Sequence, residues 1–330
     1  APGRNAMTFT RRTLLGALPP ALLAAPALAQ DGWPNRPIRL VVPFPPGGPT
    51  DIMGRLLAQA LEADFRTPVV VENRAGATGA IGSAAVMQAP PDGYTLVVGT
   101  LGSHALQPLI AKTPAYDPRR DFAPVALFAT IANVLMVHPG VNVRSAGELI
   151  ALLKAEPGRH NYGSAGIGSP IHLSAVLMEA VAGVQAQHIP YRGSAPAIQD
   201  LQGGRLTFMF DAVPSAMGAI QGNTVRALAV TTPNRIAALP DLPTMQEAGI
   251  TPYDAYTWNA IFAPPRTPEP IVARLNAAIG AITARPEFRA RATALGADAA
   301  TSTPDALRAL VTAEMEKWRG IVETAGARES

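Results

Sequence analysis

Apolar runs of strand length alternate with segments of helical periodicity, and this alternation constrains the fold more than any other feature. The first run, residues 38–44, precedes apolar positions at helical spacing in residues 51–65. Strand-length runs recur at residues 68–73 and 94–100, with a helical segment at 80–89 between them. Strand, helix, strand, helix, strand predicts a parallel sheet with helices on both faces.

The same pattern starts again in the second half of the chain. A capping box at Ser145 and Glu148 predicts a helix start. The later predicted strands are residues 160–166, 186–191, 205–211 and 225–232, and the later predicted helices are 169–183 and 194–204, with Ser169 as N-cap. Threonine–proline pairs at 267–268 and 303–304 predict the starts of two C-terminal helices.

These elements form two α/β units of similar size with a helical tail. Apolar segments near 125–137 and 225–231 are candidates for strands that cross between the units. The predicted domain 1 is discontinuous and combines residues 30–133 with 230–330, while domain 2 spans residues 134–229. A chain of 330 residues is long enough for two cores.

The N-terminus has the features of a cleaved secretory signal. Arg11 and Arg12 precede an apolar stretch that prolines interrupt and that ends at the small-residue site 27–29. Residues 10–16 loosely match the twin-arginine export pattern. The charged residues of this leader are three arginines, and without them the chain is formally neutral. We therefore predict a periplasmic protein, with cleavage near Ala29 and no nucleic-acid surface.

The sequence PFPPGGPTD, residues 43–51, follows the first predicted strand directly. Glycine lets backbone N–H groups approach a ligand, prolines fix the shape of the loop, and the following helix start, with Thr50 or Asp51 as cap, attracts anions. The alternative is a tight strand-to-helix turn with a capping carboxylate. Because Asp51 would repel a carboxylate, we expect it to cap the helix, hold a water or pair with a ligand amine.

A second loop of the same kind lies in the second half, at residues 162–174. Ser164 and Ser169 can donate hydroxyl hydrogen bonds, and Gly166 and Gly168 are expected to expose backbone amides. Ligands of α/β sheets bind at the carboxyl ends of the strands. Two such loops in two units predict one cleft between them.

Two further segments supply polar groups. Tyr191, Arg192 and a predicted serine cap, Ser194, follow one strand, and Asp211 ends another. Arg192 is compatible with binding a carboxylate or with a plain surface position. Asp211 is compatible with orienting a ligand hydroxyl, an amine or a water, or with capping a turn.

Several enzyme classes lack their motifs here. Neither loop carries the Walker A lysine or a nucleophile-elbow pattern, and the dinucleotide fingerprint is absent from the first strand–helix turn. The five histidines show no metal-ligand spacing, and the absence of cysteine excludes thiolate chemistry. We predict no enzyme activity, no cofactor and no metal.

Four blocks of sequence, in order and spacing, strongly resemble the Bug receptors, the TctC-like solute-binding components of tripartite tricarboxylate transporters. The blocks begin at WPNRPIRLVVPFPPGGPTD, VVVENRAGATGAIG, NYGSAGIGSPIHLS and HIPYRGSAPAIQDL. The resemblance implies a two-domain periplasmic-binding-protein fold, type II-like, with crossover strands. It also implies a monomer that closes on a small di- or tricarboxylate, acidic amino acid or aromatic acid and delivers it to membrane permease subunits.

The resemblance implies that residues 43–51 and 163–169 grip one carboxylate, and that the far end of the pocket varies. The implied binding residues are Phe44, Gly47, Gly48, Pro49, Thr50, Asp51, Ser103, Ser164, Ala165, Gly168, Ser169, Tyr191, Arg192 and Asp211. Two alternatives stay open at this point: an orphan receptor that presents its ligand to a sensor kinase, and a hydrolase on a related fold.

Overall fold

The computed structural model describes Gly3 and residues 32–327. Apart from Gly3, the leader predicted for residues 1–29 lies outside the described residues. None of the helices within this described part is both long enough and apolar enough to cross a membrane.

The described residues form ten strands joined in one continuous, curled sheet. The strands are β1 (Ile38–Val42), β2 (Val69–Asn73), β3 (Thr95–Thr100), β4 (Ala123–Val137), β5 (Asn161–Ser164), β6 (Gln187–Pro190), β7 (Phe208–Ala212), β8 (Arg226–Val230), β9 (Tyr256–Ala263) and β10 (Asp298–Ala299).

Ten α-helices in the described residues cover the sheet, together with a short 3₁₀ turn at Ala77–Gly79 and a π-helical turn at Gly102–Leu106. The helices are α1 (Pro49–Phe65), α2 (Ala80–Met87), α3 (Gln107–Ile110), α4 (Ala146–Ala155), α5 (Pro170–Ala182), α6 (Ser194–Gln202), α7 (Val213–Gln221), α8 (Glu269–Ala284), α9 (Pro286–Ala294) and α10 (Pro304–Thr324).

Strand order along the sheet is β2-β1-β3-β9-β4-β7-β5-β6, and β8 and β10 also pair with β4. The outer strands β1, β2 and β3 pair in parallel, as do β5, β6 and β7. This confirms the predicted parallel sheets. The centre differs, because β9 is antiparallel to both of its neighbours, and β4 is antiparallel to β7 and β8.

Strand β4 connects the two halves of the sheet. Its residues 123–132 pair with β9, and residues 133–137 pair with β7. The other predicted crossing segment, residues 225–231, becomes β8, whose one partner among the described strands is β4, at residues 134–137. The strand that returns to the first half is therefore β9. The domain boundaries at residues 133/134 and 229/230 stay a prediction.

Helix starts agree with the sequence at three positions and differ at two, besides the start of α1, which is described with the site. Ser145, Ser169 and Thr303 each accept a hydrogen bond from the backbone of their helix. The prediction for the two other helices is wrong. Helix α8 begins after Pro268, and the Thr267 hydroxyl donates to the Pro264 carbonyl instead. Helix α6 has Gly193 as N-cap, because the Ser194 hydroxyl is hydrogen-bonded elsewhere.

The contact between α2 and the start of the first loop leaves no room for a side chain at Gly82. A Cβ atom there would lie 2.7 Å from the Arg74 carbonyl oxygen and 2.9 Å from Pro43 Cβ. Helix α10 offers a matched position at Gly320, where a Cβ atom would meet nothing within 4 Å.

We expect Gly82→Ala to lower the free energy of unfolding by about 1–3 kcal/mol, because Pro43 and the Arg74 backbone must move. Gly320→Ala should raise it by about 1 kcal/mol, since alanine is the better helix former. Urea unfolding followed by circular dichroism measures both. A Gly82→Ala protein as stable as Gly320→Ala would contradict the packing described here.

Candidate functional site

The first loop, residues 43–48, is called loop one, and it is fixed to the start of α1 by the Asp51 carboxylate. Asp51 Oδ2 accepts from the Gly47 N–H at 2.9 Å and from Arg55 Nε at 3.0 Å. Its Oδ1 accepts from Asn73 Nδ2 at 2.8 Å, and the same amide nitrogen donates to the Phe44 carbonyl at 3.1 Å. One buried carboxylate therefore holds both ends of the loop.

These contacts decide the role of Asp51. Burial alone would raise its pKa, but the hydrogen bonds from Arg55, Gly47 and Asn73 outweigh burial and hold the pKa below its ordinary value. The helix N-cap is Gly48, so the prediction that Thr50 or Asp51 caps α1 is wrong by two or three residues. Asp51 shapes the loop as an anion whose lone pairs are already engaged.

Loop one leaves free donors at the start of α1. Pro49 occupies the first helical position and has no N–H. The N–H groups of Thr50 and Asp51 follow, and neither donates to any residue that the structure describes. The Gly47 backbone has φ of +80°, a conformation that favours glycine. The result is a pair of amides at the positive end of a 17-residue helix.

The second loop, residues 164–169, is called loop two, and its hydrogen bonds differ from the expectation. The Gly166 N–H donates to Ser164 Oγ, and the Gly168 N–H donates to His172 Nδ1, each at 3.1 Å. Both amides that the sequence nominated as exposed are therefore engaged within the loop. The prediction that they are available to a ligand is wrong.

Other donors of loop two remain available. The N–H groups of Ala165, Ile167 and Ile171 have no acceptor among the described residues. Ile171 lies in the first turn of α5, where helix geometry leaves N–H groups unpaired, and Ser169 caps that helix. Loop two therefore presents amides and a helix N-terminus, as loop one does.

The segment from Thr100 to Ile110 contacts both loops. A Cβ atom on Gly102 would lie 3.9 Å from Phe44 Cζ of loop one, and one on Gly168 of loop two would lie 2.8 Å from Ile110 Cδ1. Ser103 is fully buried, and its Oγ bonds to the Thr100 N–H and to His104 Nδ1. Direct contact between Ser103 and a ligand stays a prediction.

Sequence reasoning missed the turn at residues 76–79, which packs against the same place. A Cβ atom on Gly79 would lie 2.8 Å from Ser103 Cβ and 3.4 Å from Phe44 Cζ. Ala77 and Thr78 both have positive φ, at 47° and 51°. Strain of this kind concentrates at functional sites. The glycine spacing in RAGATGAIG could have predicted a turn here, but it does not indicate that the turn contacts a ligand site.

The third polar group lies at the ends of β6 and β7. The Tyr191 hydroxyl donates to Asp200 Oδ2 at 2.8 Å, so this side chain is turned toward α6. Arg192 is exposed and has no ion-pair or hydrogen-bond partner among the described residues. Of these two side chains, only Arg192 has N–H donors that are not already hydrogen-bonded to a described residue and could bind an anion.

Asp211 is a buried carboxyl group with one unsatisfied oxygen. Its Oδ1 accepts from Ser194 Oγ at 2.8 Å and from the Ala212 N–H at 2.7 Å. Its Oδ2 has no partner in the described part of the chain, and the residue is 1% exposed. Burial raises the pKa of Asp211 to about 7, against the lowering effect of those two donors.

The site as a whole is suited to holding an anion. Its free donors are backbone amides at two helix N-termini and one arginine, and no group of three metal-ligating side chains occurs among the described residues. The arrangement is suited to orienting a ligand: Ser164 Oγ lies 2.6 Å from His188 Nε2, but no described carboxylate is hydrogen-bonded to that imidazole as in a catalytic triad.

Known proteins of similar sequence are consistent with a site that holds an anion. Residues 53–327 match the family described as the tripartite tricarboxylate transporter family receptor, TctC. BugT of Bordetella pertussis is 37% identical over 309 residues, which cover 93% of this chain and 94% of that protein.

Two solved structures share the fold closely. Rpa4515 of R. palustris, with adipate, is 37% identical with a TM-score of 0.80, covering 89% of this chain and 98% of that one. MatC of Rhodopseudomonas palustris, with bound malate, is 34% identical with a TM-score of 0.74, covering 88% and 100%. Fold and site thus define a solute-binding receptor of the two-domain periplasmic class, not an enzyme. The chain belongs to the TctC family of receptors, to which the Bug proteins are related.

Replacing Asp51 tests its role in loop one. We expect Asp51→Asn to cost about 1–3 kcal/mol of stability at pH 7, because an amide would face the donors Gly47 N–H and Arg55 Nε. The depressed pKa makes this stabilisation present above the ordinary aspartate range and lost as pH falls through the folded-state value. The difference between the two proteins should therefore shrink below pH 4, in urea unfolding across that range.

The matched control is Asp305→Asn, which removes an exposed carboxylate in the first turn of α10. It should change stability by less than about 0.5 kcal/mol. Equal effects of the two substitutions would show that Asp51 contributes only helix-terminal charge.

Asp211 gives the opposite pH dependence. Its raised pKa means that the ionised form is disfavoured in the folded state, so stability is lost as pH rises from about 4 to about 7. Asp211→Asn keeps the Oδ1 acceptor and cannot ionise. Its melting temperature relative to the wild type should rise across that interval and level off above it. Asp241→Asn, on an exposed loop, should show no such trend, and parallel profiles for all three proteins would refute the assignment.

Proposed function

We propose that this chain is an exported receptor that captures a small carboxylate between loop one and loop two and delivers it to the membrane subunits of a tripartite tricarboxylate transporter. The observation that carries the proposal is the pair of unpartnered amide sets, Thr50 and Asp51 on one side and Ala165 and Ile167 on the other. Both lie at the carboxyl ends of parallel strands, where α/β sheets bind ligands.

The chemistry of the relatives supports the ligand class. Adipate and malate are both dicarboxylates, and the two structures that contain them cover most of this chain. A carboxylate accepts several hydrogen bonds at once, and charge-assisted bonds to N–H donors are about twice as strong as neutral ones. The predicted leader and the periplasmic class of the neighbours support an extracytoplasmic location.

Closure of the two halves would follow the hinge behaviour of such folds, with the ligand stabilising the closed form. Arg192 and Asp211 belong to the far end of the pocket in this proposal. Arg192 would bind a second carboxylate, and the free Oδ2 of Asp211 would face a hydroxyl, an amine or a protonated oxygen.

The test is thermal denaturation of the chain against a panel of carboxylates. Dicarboxylates, citrate, acidic amino acids and aromatic acids are compared with their neutral amides. A ligand of the native state raises the melting temperature by mass action. We expect at least one acid to raise it and its amide not to. A sugar or a cation as the sole stabiliser would contradict the proposal.

A single hydroxyl connects this test to loop two. Ser164→Ala should weaken binding of the active acid about 10- to 100-fold, the value of about 1.5–3 kcal/mol for a hydrogen bond to a charged group. Ser145→Ala removes the cap of α4 in the same half of the chain. It should lower the melting temperature of the free protein and leave the rise caused by the acid intact. An equal loss of binding in both variants would point to general destabilisation.

A further inference from the structure

Two histidines support loop two from behind. His188 of β6 places Nε2 2.6 Å from Ser164 Oγ at the start of the loop, and His172 of α5 accepts the Gly168 N–H at Nδ1 near its end. The two imidazole rings are stacked, with centroids 3.9 Å apart and planes inclined by 16°. Both ends of loop two are therefore joined to one pair of imidazoles.

The hydrogen bonds around the two imidazoles indicate which ring nitrogens carry protons. His172 Nδ1 is an acceptor, so the proton of the neutral ring is on Nε2. The Ser164 hydroxyl hydrogen can reach the Gly166 carbonyl or His188 Nε2. The Gly166 carbonyl already accepts from Ser169 Oγ and from the Ser169 N–H. In this assignment, the Ser164 hydroxyl donates to a bare His188 Nε2 before a ligand binds, and it is then not available to that ligand.

A proton on His188 Nε2 reverses this bond. The imidazole then donates to Ser164 Oγ, and the hydroxyl hydrogen is released toward a ligand oxygen. The charged ring also places a positive charge behind the carboxylate and attracts it. The stacked geometry allows only one of the two rings to be charged, because two imidazolium ions with centroids 3.9 Å apart would repel each other strongly.

The surroundings favour the neutral form of both imidazoles. Burial lowers the pKa of His188, and burial together with the nearness of His188 lowers that of His172 to about 4. The Tyr162 ring lies 5.0 Å from His188, and burial raises the pKa of the Tyr162 hydroxyl and of Glu179. Lys154 is the other titratable group on the open cavity, about 950 Å³, that both histidines line.

We propose that His188 is a positioning residue for loop two: when a carboxylate binds, His188 takes up one proton from solvent at Nε2 and turns the Ser164 hydroxyl toward the ligand, while neutral His172 continues to hold Gly168. This rests on the proposed function, because it requires a carboxylate at loop two. A negative charge at Ser164 favours the protonated imidazole, so binding and proton uptake are linked.

The experiment is calorimetric titration of the purified chain with adipate and malate between pH 6.5 and 8.5, in buffers of different ionisation enthalpy. The carboxyl groups of both probes stay ionised in this range. We expect uptake of up to one proton per ligand and an affinity that rises up to tenfold per pH unit toward pH 6.5. His188→Gln, whose amide nitrogen can reach the position of the imidazole Nε2 and donate to Ser164 without titrating, should bind with an affinity independent of pH.

His138→Asn is the matched control, since this histidine accepts from the Gly140 N–H at the end of β4 and does not contact loop two. It should keep the pH dependence of the wild type. The proposal is overturned if the wild type takes up no proton, if His188→Gln keeps the pH dependence, or if His138→Asn loses it.

Failure of the proposed receptor function can be distinguished from failure of the role proposed for His188. If neither probe nor any other acid of the panel binds at any pH, the receptor proposal fails, and the histidine pair is judged on the free chain. Long-range ¹H–¹⁵N NMR at pH 7.5 should then show His172 protonated at Nε2 only and His188 Nε2 bare. A proton on His188 Nε2 in the free protein would overturn the inference.

Discussion

Strand β4 is hydrogen-bonded to both halves of the sheet, and the position of every loop in the site follows from it. Its 15 residues pair first with β9 and then with β7 and β8, so one backbone runs through both parallel β/α units and connects them. Each unit places a helix N-terminus at the carboxyl ends of its strands. Because β4 is shared, the two helix starts cannot move independently of the strands that carry them.

The site uses backbone dipoles more than side-chain charge. Without the predicted leader the chain would be formally neutral, so long-range attraction of an anion would be weak and recognition would depend on short-range donors. The arginine nearest loop one, Arg55, is paired with Asp51. The donors around Asp51 stabilise its ionised form, and the carboxylate in turn stabilises the conformation of loop one. The free amides on either side then meet a ligand with little local reorganisation.

The sequence predicted the elements whose signals are local. The alternation of apolar runs and helical periodicity located β1, α1, β2, α2 and β3 within two residues, and the caps Ser145, Ser169 and Thr303 are in place. Strand β9 was missed, although its run YTWNAIFA is aromatic and apolar and prolines flank it at 252 and 264. Its antiparallel position between β3 and β4 depends on contacts far apart in the chain, which no local pattern encodes.

The site shows the same division. Both loops could be located from glycine, proline and cap residues, but which N–H groups stay free could not be read from composition. The backbone N–H groups of Gly166 and Gly168 donate to Ser164 and His172. These bonds depend on the conformation of the loop and on the position of a histidine in the next helix. The burial of Asp211 and Ser103 likewise results from packing between distant segments.

The most direct test of the central claim is a crystal structure of the purified chain with the carboxylate that raises its melting temperature most. We expect one carboxylate group to bind between the loops. Its oxygens should lie within about 3.2 Å of the backbone nitrogen of Thr50 or Asp51 on one side and of Ala165 or Ile167 on the other. A ligand held outside both loops, in the cavity behind loop two or on Arg192 alone, would contradict it.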